Sequence, residues 1–271
     1  MKVNPIGTTT PAHFVRTGPR GGTPIVFIHA LGLDLSVWEY QIQEFGRDHD
    51  VIGFDLPGHG LSEPPLAKPS LPLFAQTLHD FLAELGTGPV DVVGISVGGM
   101  VAQMLAVTAP TVVRSLTLVA TSCTFTEEVR GILRKRAQVA REGGMETLTP
   151  LHLERWFSAD FRAKRPEVLD RFSKILLRQS NHYHADMWDM VTTLDLEQQL
   201  ARVTCPVLVV AGQDDASAPP AAGQLIADRV LGAVLHVLPR CGHFPPIEYP
   251  AEFNALFRDF LSVWAPPLRM H

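Results

Sequence analysis

Residues 91–103 read DVVGISVGGMVAQ. A single serine, Ser96, stands between Gly94 and Gly98, directly after an apolar run. A serine in that place packs nothing. Ordinary glycine and serine usage produces a G-x-S-x-G in roughly one chain in ten of this length, so its surroundings must decide what this one means.

The apolar run before Ser96 is one of a series. PIVFIHALG (24–32), DVIGFDLPGHG (50–60), PVDVVGIS (89–96), SLTLVAT (115–121), PVLVVAGQDD (206–215) and AVLHVLP (233–239) are all rich in Val, Ile and Leu, without polar alternation. Such runs read as strands buried on both faces, as in a parallel sheet. Helical stretches lie between them. In 71–86, Leu73, Phe74, Leu78, Phe81, Leu82 and Leu85 recur at helical spacing before Gly86. Residues 98–109 end before Pro110, and 219–230 and 251–264 make two more helices. Alternating strand and helix predicts an α/β fold with a mostly parallel central sheet flanked by helices.

One segment breaks this rhythm. From 124 to 200 no strand is readable, and charged residues number 24 of 77 against 27 of the other 194. Four amphipathic helices are expected, at 127–142, 144–156, 166–180 and 182–191. The simplest organisation is a core of residues 1–123 and 201–271 with an all-helical cap, 124–200, over the sheet's C-terminal edge. Open α/β folds bind ligands at that edge.

Bulk composition narrows the function classes. The chain has 271 residues, 46% apolar and 19% charged, with net charge -5. No basic run argues for nucleic acid, and an acidic balance repels phosphate backbones. No stretch of eighteen apolar residues predicts a membrane span, and the N-terminal residues lack a secretory apolar region, so a cytoplasmic location is expected. Cys123, Cys205 and Cys241 are scattered and suit reduced thiols. Neither a cofactor nor a metal is expected. His182 and His184, two apart on a helix, face different ways and make a poor metal pair. The sequence leaves the oligomeric state open.

Ser96 sits where a strand ends and a helix begins. A sharp turn there would lift its hydroxyl clear of the sheet, with glycines where a Cβ would clash. A serine hydroxyl is a weak nucleophile until a base takes its proton and an acid orients that base. Two aspartates, Asp214 and Asp215, end the run at 206–215, and His243 follows the run at 233–239. All three candidates fall at strand C-termini, in the order Ser, Asp, His.

This arrangement resembles the nucleophile elbow of the α/β-hydrolase fold, and the resemblance spans nearly the whole chain. FIHALGLDLSVWE (27–39) is similar to the family's oxyanion loop, FDLPGHGLSEPP (54–65) to its D-x-P-G-x-G-x-S turn, and AGQDDASAPP (211–220) and RCGHFPPIEYP (240–250) to its acid and base loops. The stretches at 29–34, 94–103 and REGGMETLTPLHLERWFSADFR (141–162) further resemble the 3-oxoadipate enol-lactonase group. His29-Ala30 and the segment 181–200 differ from that group's usual residues.

The resemblance implies these roles. Ser96 is the nucleophile and His243 the general base. The family's G-x-x-D pattern, counted from Gly212, selects Asp215 over Asp214 as the acid. The backbone amides of Leu31 and Val97 form the oxyanion hole. Trp156, His29 and Trp188 are pocket candidates, with His29 also a brace for its own loop. Trp38, Met100 and Met187 could also line the pocket, although each taken singly reads first as a core residue. His59 reads as a turn histidine. Arg130, Arg134 and Arg155 either pair with a substrate carboxylate or form a solvated helix face.

The expected activity is hydrolysis of a small ester or lactone through an acyl-enzyme, an enol-lactone being the sharpest version. A short-chain carboxylesterase, a cofactor-free haloperoxidase and a carbon–carbon bond hydrolase share the same three residues. A small-ligand sensor on the same fold is the alternative of a different class.

Overall fold

A computed structural model describes residues 2–3 and 12–264 of the chain. Its elements run β1 (Lys2–Val3), β2 (Ala12–Thr17), β3 (Ile25–Ile28), α1 (Glu39–Phe45), β4 (Val51–Phe54), α2 (Leu71–Glu84), β5 (Val90–Ile95), α3 (Val97–Thr108) and β6 (Val113–Val119). Then follow α4 (Glu127–Trp156), α5 (Ala159–Lys164), α6 (Pro166–Leu176), α7 (Asn181–Thr192), β7 (Val207–Gly212), α8 (Pro220–Arg229), β8 (Val234–Leu238), α9 (Pro245–Glu248) and α10 (Pro250–Trp264). The sheet has eight strands in the order β1-β2-β4-β3-β5-β6-β7-β8. From β4 to β8 every pairing is parallel, while β1 and β2 add an antiparallel edge.

The apolar runs form strands because helices cover both faces of the sheet. Every residue of β3, β4, β5 and β7 is buried, which explains the absence of alternation. The edge strand β8 is only partly buried. The strand β2 carries no apolar run. Its burial alternates, with Ala12 and Phe14 buried and His13 and Val15 partly exposed, as in a half-covered antiparallel edge.

The position of β3 sets up the site. It pairs with β4 on one side and β5 on the other. The chain therefore winds outward in both directions from this point, and the loops leaving β3 and β5 part to leave a crevice.

All four helices α4 to α7 lie between β6 and β7. The helices expected at 127–142 and 144–156 are both present as the two halves of α4, separated by a kink where Gly144 leaves helical geometry with φ 70° and ψ -179°. The second half regains a capping acceptor from another helix, since the Met145 amide donates to Asn181 Oδ1 at 3.1 Å. Two short helices, α1 and α5, lie in stretches too brief for periodicity to reveal them.

Candidate active site

The elbow between β5 and α3 is built from backbone packed on backbone. Ser96 holds φ 54° and ψ -118°, a conformation L-residues adopt only when surroundings enforce it. Its amide donates to Val119 O at 2.9 Å, and Thr121 Oγ1 donates to its carbonyl at 2.7 Å. The flanking glycines are steric necessities. A Cβ on Gly94 would stand 2.4 Å from Gly98 O, and one on Gly98 would stand 2.3 Å from Ile28 O and 2.5 Å from His29 O. The start of α3 is thereby pressed against the end of β3, which brings Leu31 and Val97 to the same cavity wall as Ser96. Val97 opens α3, and the first amides of a helix have no partner within it.

The loops after β7 and β8 meet opposite. His243 Nδ1 lies 2.7 Å from Asp215 Oδ2, with the two residues 2% and 3% exposed. Asp215 Oδ1 accepts from the Ser217 amide at 2.7 Å and the Ala218 amide at 3.0 Å. These donors fix the orientation of the carboxylate, and a carboxylate oxygen accepts, so Nδ1 of His243 donates to it and Nε2 is left facing outward as the acceptor. Asp214 is exposed, and its amide donates to Cys241 O at 2.8 Å. It takes no part in the histidine contact. The His243 amide donates to Trp156 O at 2.7 Å, tying this loop to the end of α4.

Ser96 and His243 line one cavity of about 250 Å³, near the small end of ligand pockets, which span roughly 300–1,000 Å³. The core contributes Leu31, Val97 and Met100, and α4 contributes Val129, Ile132, Leu133 and Arg136. Trp156 and Trp188 also line it.

His29 is a correction. It is fully buried and lies outside the cavity lining. Its Nε2 accepts from the Leu56 amide at 2.9 Å, so Nδ1 is protonated and donates to Ala30 O at 2.8 Å. Both nitrogens are spent on backbone, which makes His29 the brace of its loop and leaves nothing for a ligand. Burial lowers its pKa, against a nearby Asp55 that raises it. Trp38 and Met187 are likewise core residues. Trp38 packs 4.9 Å from the Phe27 ring, and neither residue reaches the cavity.

Two features have roles in the structure that the sequence did not assign. Asp55 is a buried hub. It accepts from the Leu35 amide at 2.7 Å and the Leu61 amide at 3.0 Å, and lies 2.6 Å from His13 Nδ1. It thus joins β2 and the loops after β3 and β4. Behind the cavity, His152 is stacked on Trp156 at 4.8 Å and lies 3.3 Å from His184, Nε2 to Nε2. Trp188 Nε1 donates to His184 Nε2 at 3.1 Å. Indole only donates, so His152 must donate as well, and both rings are neutral. Burial, reinforced by Arg136 and Arg155, pulls the pKa of His152 down to about 3.

The cap arginines take separate places. Arg130 donates to Thr192 O and Leu194 O, Arg134 pairs with Glu127, and Arg155 reaches Ala216 O. Of these only Arg155 lines the cavity, where it is joined by Arg136.

The sequence pattern of the alpha/beta hydrolase family matches residues 25–256. Over 230 residues the chain is 30% identical to 3-oxoadipate enol-lactonase 2 of Acinetobacter baylyi, covering 85% of each. Over 253 residues it is 30% identical to a pimeloyl-[acyl-carrier protein] methyl ester esterase of Chromobacterium violaceum, covering 90% of this chain and 96% of the esterase. The crystal structure of the enol-lactonase from Burkholderia xenovorans LB400 superposes with a TM-score of 0.90 at 27% identity, covering 97% of this chain and all of that one.

Proposed function

Because this chain belongs to the alpha/beta hydrolase family, we propose that it is a serine hydrolase of small esters or lactones, working through an acyl-enzyme. The observation that carries the reading is the buried 2.7 Å contact between His243 and Asp215, across one small cavity from a strained Ser96.

In this reading the Ser96 hydroxyl adds to the substrate carbonyl carbon as its proton passes to His243 Nε2. Asp215 steadies the imidazolium through Nδ1. The amides of Leu31 and Val97 donate to the new oxyanion. The carbonyl re-forms, the bond to the leaving oxygen breaks, and His243 returns the proton to it. Water, losing a proton to His243, then adds to the acyl-enzyme, and Ser96 leaves with that proton. In a lactone the leaving oxygen stays attached to the acyl chain. In an enol-lactone it departs as an enol, a better leaving group than an alkanol because its oxygen is less basic, and the enol then tautomerises to a ketone, which draws the hydrolysis to completion.

The sharpest substrate is therefore an enol-lactone of the 3-oxoadipate type, placing the enzyme in cytoplasmic breakdown of aromatic compounds. We read 124–200 as a cap closing a core of 1–123 and 201–271. A short-chain carboxylesterase is the second reading, favoured by the 30% identity to a methyl ester esterase. The test is loss of the ultraviolet absorbance of freshly generated 3-oxoadipate enol-lactone, beside 4-nitrophenyl acetate hydrolysis. Wild type should turn over at least one, and Ser96→Ala should lose about ten-thousandfold or more. Rapid loss of the lactone selects the enol-lactonase, and activity on the ester alone selects the esterase. Hydrolysis that survives Ser96→Ala would overturn the whole site.

A further inference from the structure

Arg136 stands out among the charges near the cavity. The insertion balances 12 basic against 12 acidic residues, yet the cavity is lined by two guanidinium groups, Arg136 and Arg155, and by no carboxylate. Arg155 is exposed and already donates to Ala216 O. Arg136 is half-buried and sits on the same face of α4 as Val129, Ile132 and Leu133, a spacing that turns all four toward Ser96's cavity. Among the described residues it has no ion pair and no hydrogen bond. Its one recorded contact is with the Trp188 ring, whose centroid lies 5.0 Å from Cζ. Burial and the like charge of Arg155 lower its pKa to about 10, so it remains a cation at neutral pH.

A half-buried cation with an aromatic platform, a second cation beside it and no counter-ion is costly. That arrangement persists where an anion arrives with the ligand. We infer that Arg136 is the specificity determinant of the site, binding a carboxylate at the end of the substrate's acyl chain remote from the scissile bond. The inference rests on the hydrolase reading above and narrows its substrate class to carboxylate-bearing lactones and half-esters of dicarboxylic acids. The planar guanidinium offers two parallel donors to such a carboxylate, and the Trp188 ring, 5.0 Å from Cζ, holds it at the cavity wall. The remaining wall is apolar, formed by Val129, Leu133 and Met100, and suits a short methylene chain between the two polar ends.

Two 4-nitrophenyl esters of equal acyl length separate the possibilities: the hydrogen glutarate, ending in a carboxylate, and the pentanoate, ending in a methyl. Wild type should favour the glutarate ester about tenfold or more in kcat/KM, mostly through KM. In Arg136→Gln the ratio should fall to near one, and in Arg136→Lys it should be intermediate. Arg134→Gln, which alters a cation outside the cavity, should leave the ratio as it is. No preference in wild type, or a preference unchanged in Arg136→Gln, overturns the proposal. Should neither ester be turned over, the hydrolase reading is decided separately by the enol-lactone assay above, and calorimetric titration with glutarate decides the subsite. Binding that is lost in Arg136→Gln supports it. Absent binding, or binding indifferent to the substitution, overturns it.

Discussion

Two walls enclose the cavity at Ser96, and they are held together by different means. The core wall rests on main chain. The Ser96 amide and carbonyl are both bound, Gly98 lies against two carbonyls of the strand beside it, and His29 spends both ring nitrogens on backbone. The helical wall rests on side chains: the Trp156–His152 stack, the Trp188–His184 hydrogen bond, and Arg136 lying on Trp188. Main-chain geometry does not change when a side chain is exchanged, whereas a helix face is rewritten by every substitution. Chemistry that needs atoms fixed within a few tenths of an ångström belongs on the first wall, and recognition that differs between relatives belongs on the second.

The largest effect should come from the core wall's acid. Asp215→Asn keeps the shape but favours the wrong histidine tautomer, and should lower kcat roughly ten-thousandfold. Asp214→Asn, altering an exposed neighbour, should leave kcat close to wild type. Steady-state kinetics on one ester decides, and equal losses in the two variants would remove Asp215 from its role.

Next comes a substitution the core wall cannot absorb. Gly98→Ala drives a methyl to 2.3 Å from Ile28 O, and backbone there has nowhere to go. A loss of about 3 kcal/mol or more is expected in urea denaturation. A loss below about 1 kcal/mol would mean that the elbow is more pliant than the comparison allows.

Acid should strain both walls. Burial is the main cause lowering the pKa of His29, His59, His152 and His184, taking His59 and His152 to about 3. Unfolded, each would accept a proton near 6.5. Between those values the unfolded chain binds more protons than the folded one, so stability present above pH 6.5 drains away as pH falls toward 3. Each histidine adds at most about 1.4 kcal/mol per pH unit to that slope. Thermal unfolding from pH 7.5 to 4 measures it, and a melting temperature unchanged down to pH 5 would show that these histidines titrate freely in the fold.

The smallest effect has the opposite sign. Gly131 lies within α4, and a Cβ there would meet nothing within 4 Å. Gly131→Ala should stabilise the protein by about 0.5–1 kcal/mol through helix propensity, where the same exchange at Gly98 is ruinous. Destabilisation at Gly131 would show that the helical wall has backbone constraints of its own.

The linear sequence determined the parallel strands, the helix-only insertion and the elbow at Ser96. Each depends on a local pattern: unbroken Val/Ile/Leu runs, a 3.6-residue period, and glycines flanking one serine. It also narrowed the partner of His243 to two adjacent aspartates. The family's G-x-x-D spacing favoured Asp215, and the fold gives the physical reason: the Ser217 and Ala218 amides and His243 meet Asp215, while Asp214 is exposed. The strand β2 escaped because AHFVRT is half-covered and carries no unbroken apolar run. His29 shows the limit of motif reading, since it belongs to the loop that makes the site yet points its ring away from the cavity. Arg136 shows the converse. On paper it is one of 12 basic residues in a balanced helical segment, and although its spacing from Val129, Ile132 and Leu133 puts it on an apolar face that Arg134 does not share, nothing local says what that face meets. What that face meets is decided by how α4 packs on α7, which brings Trp188 to Arg136, a long-range outcome that no short stretch of sequence encodes.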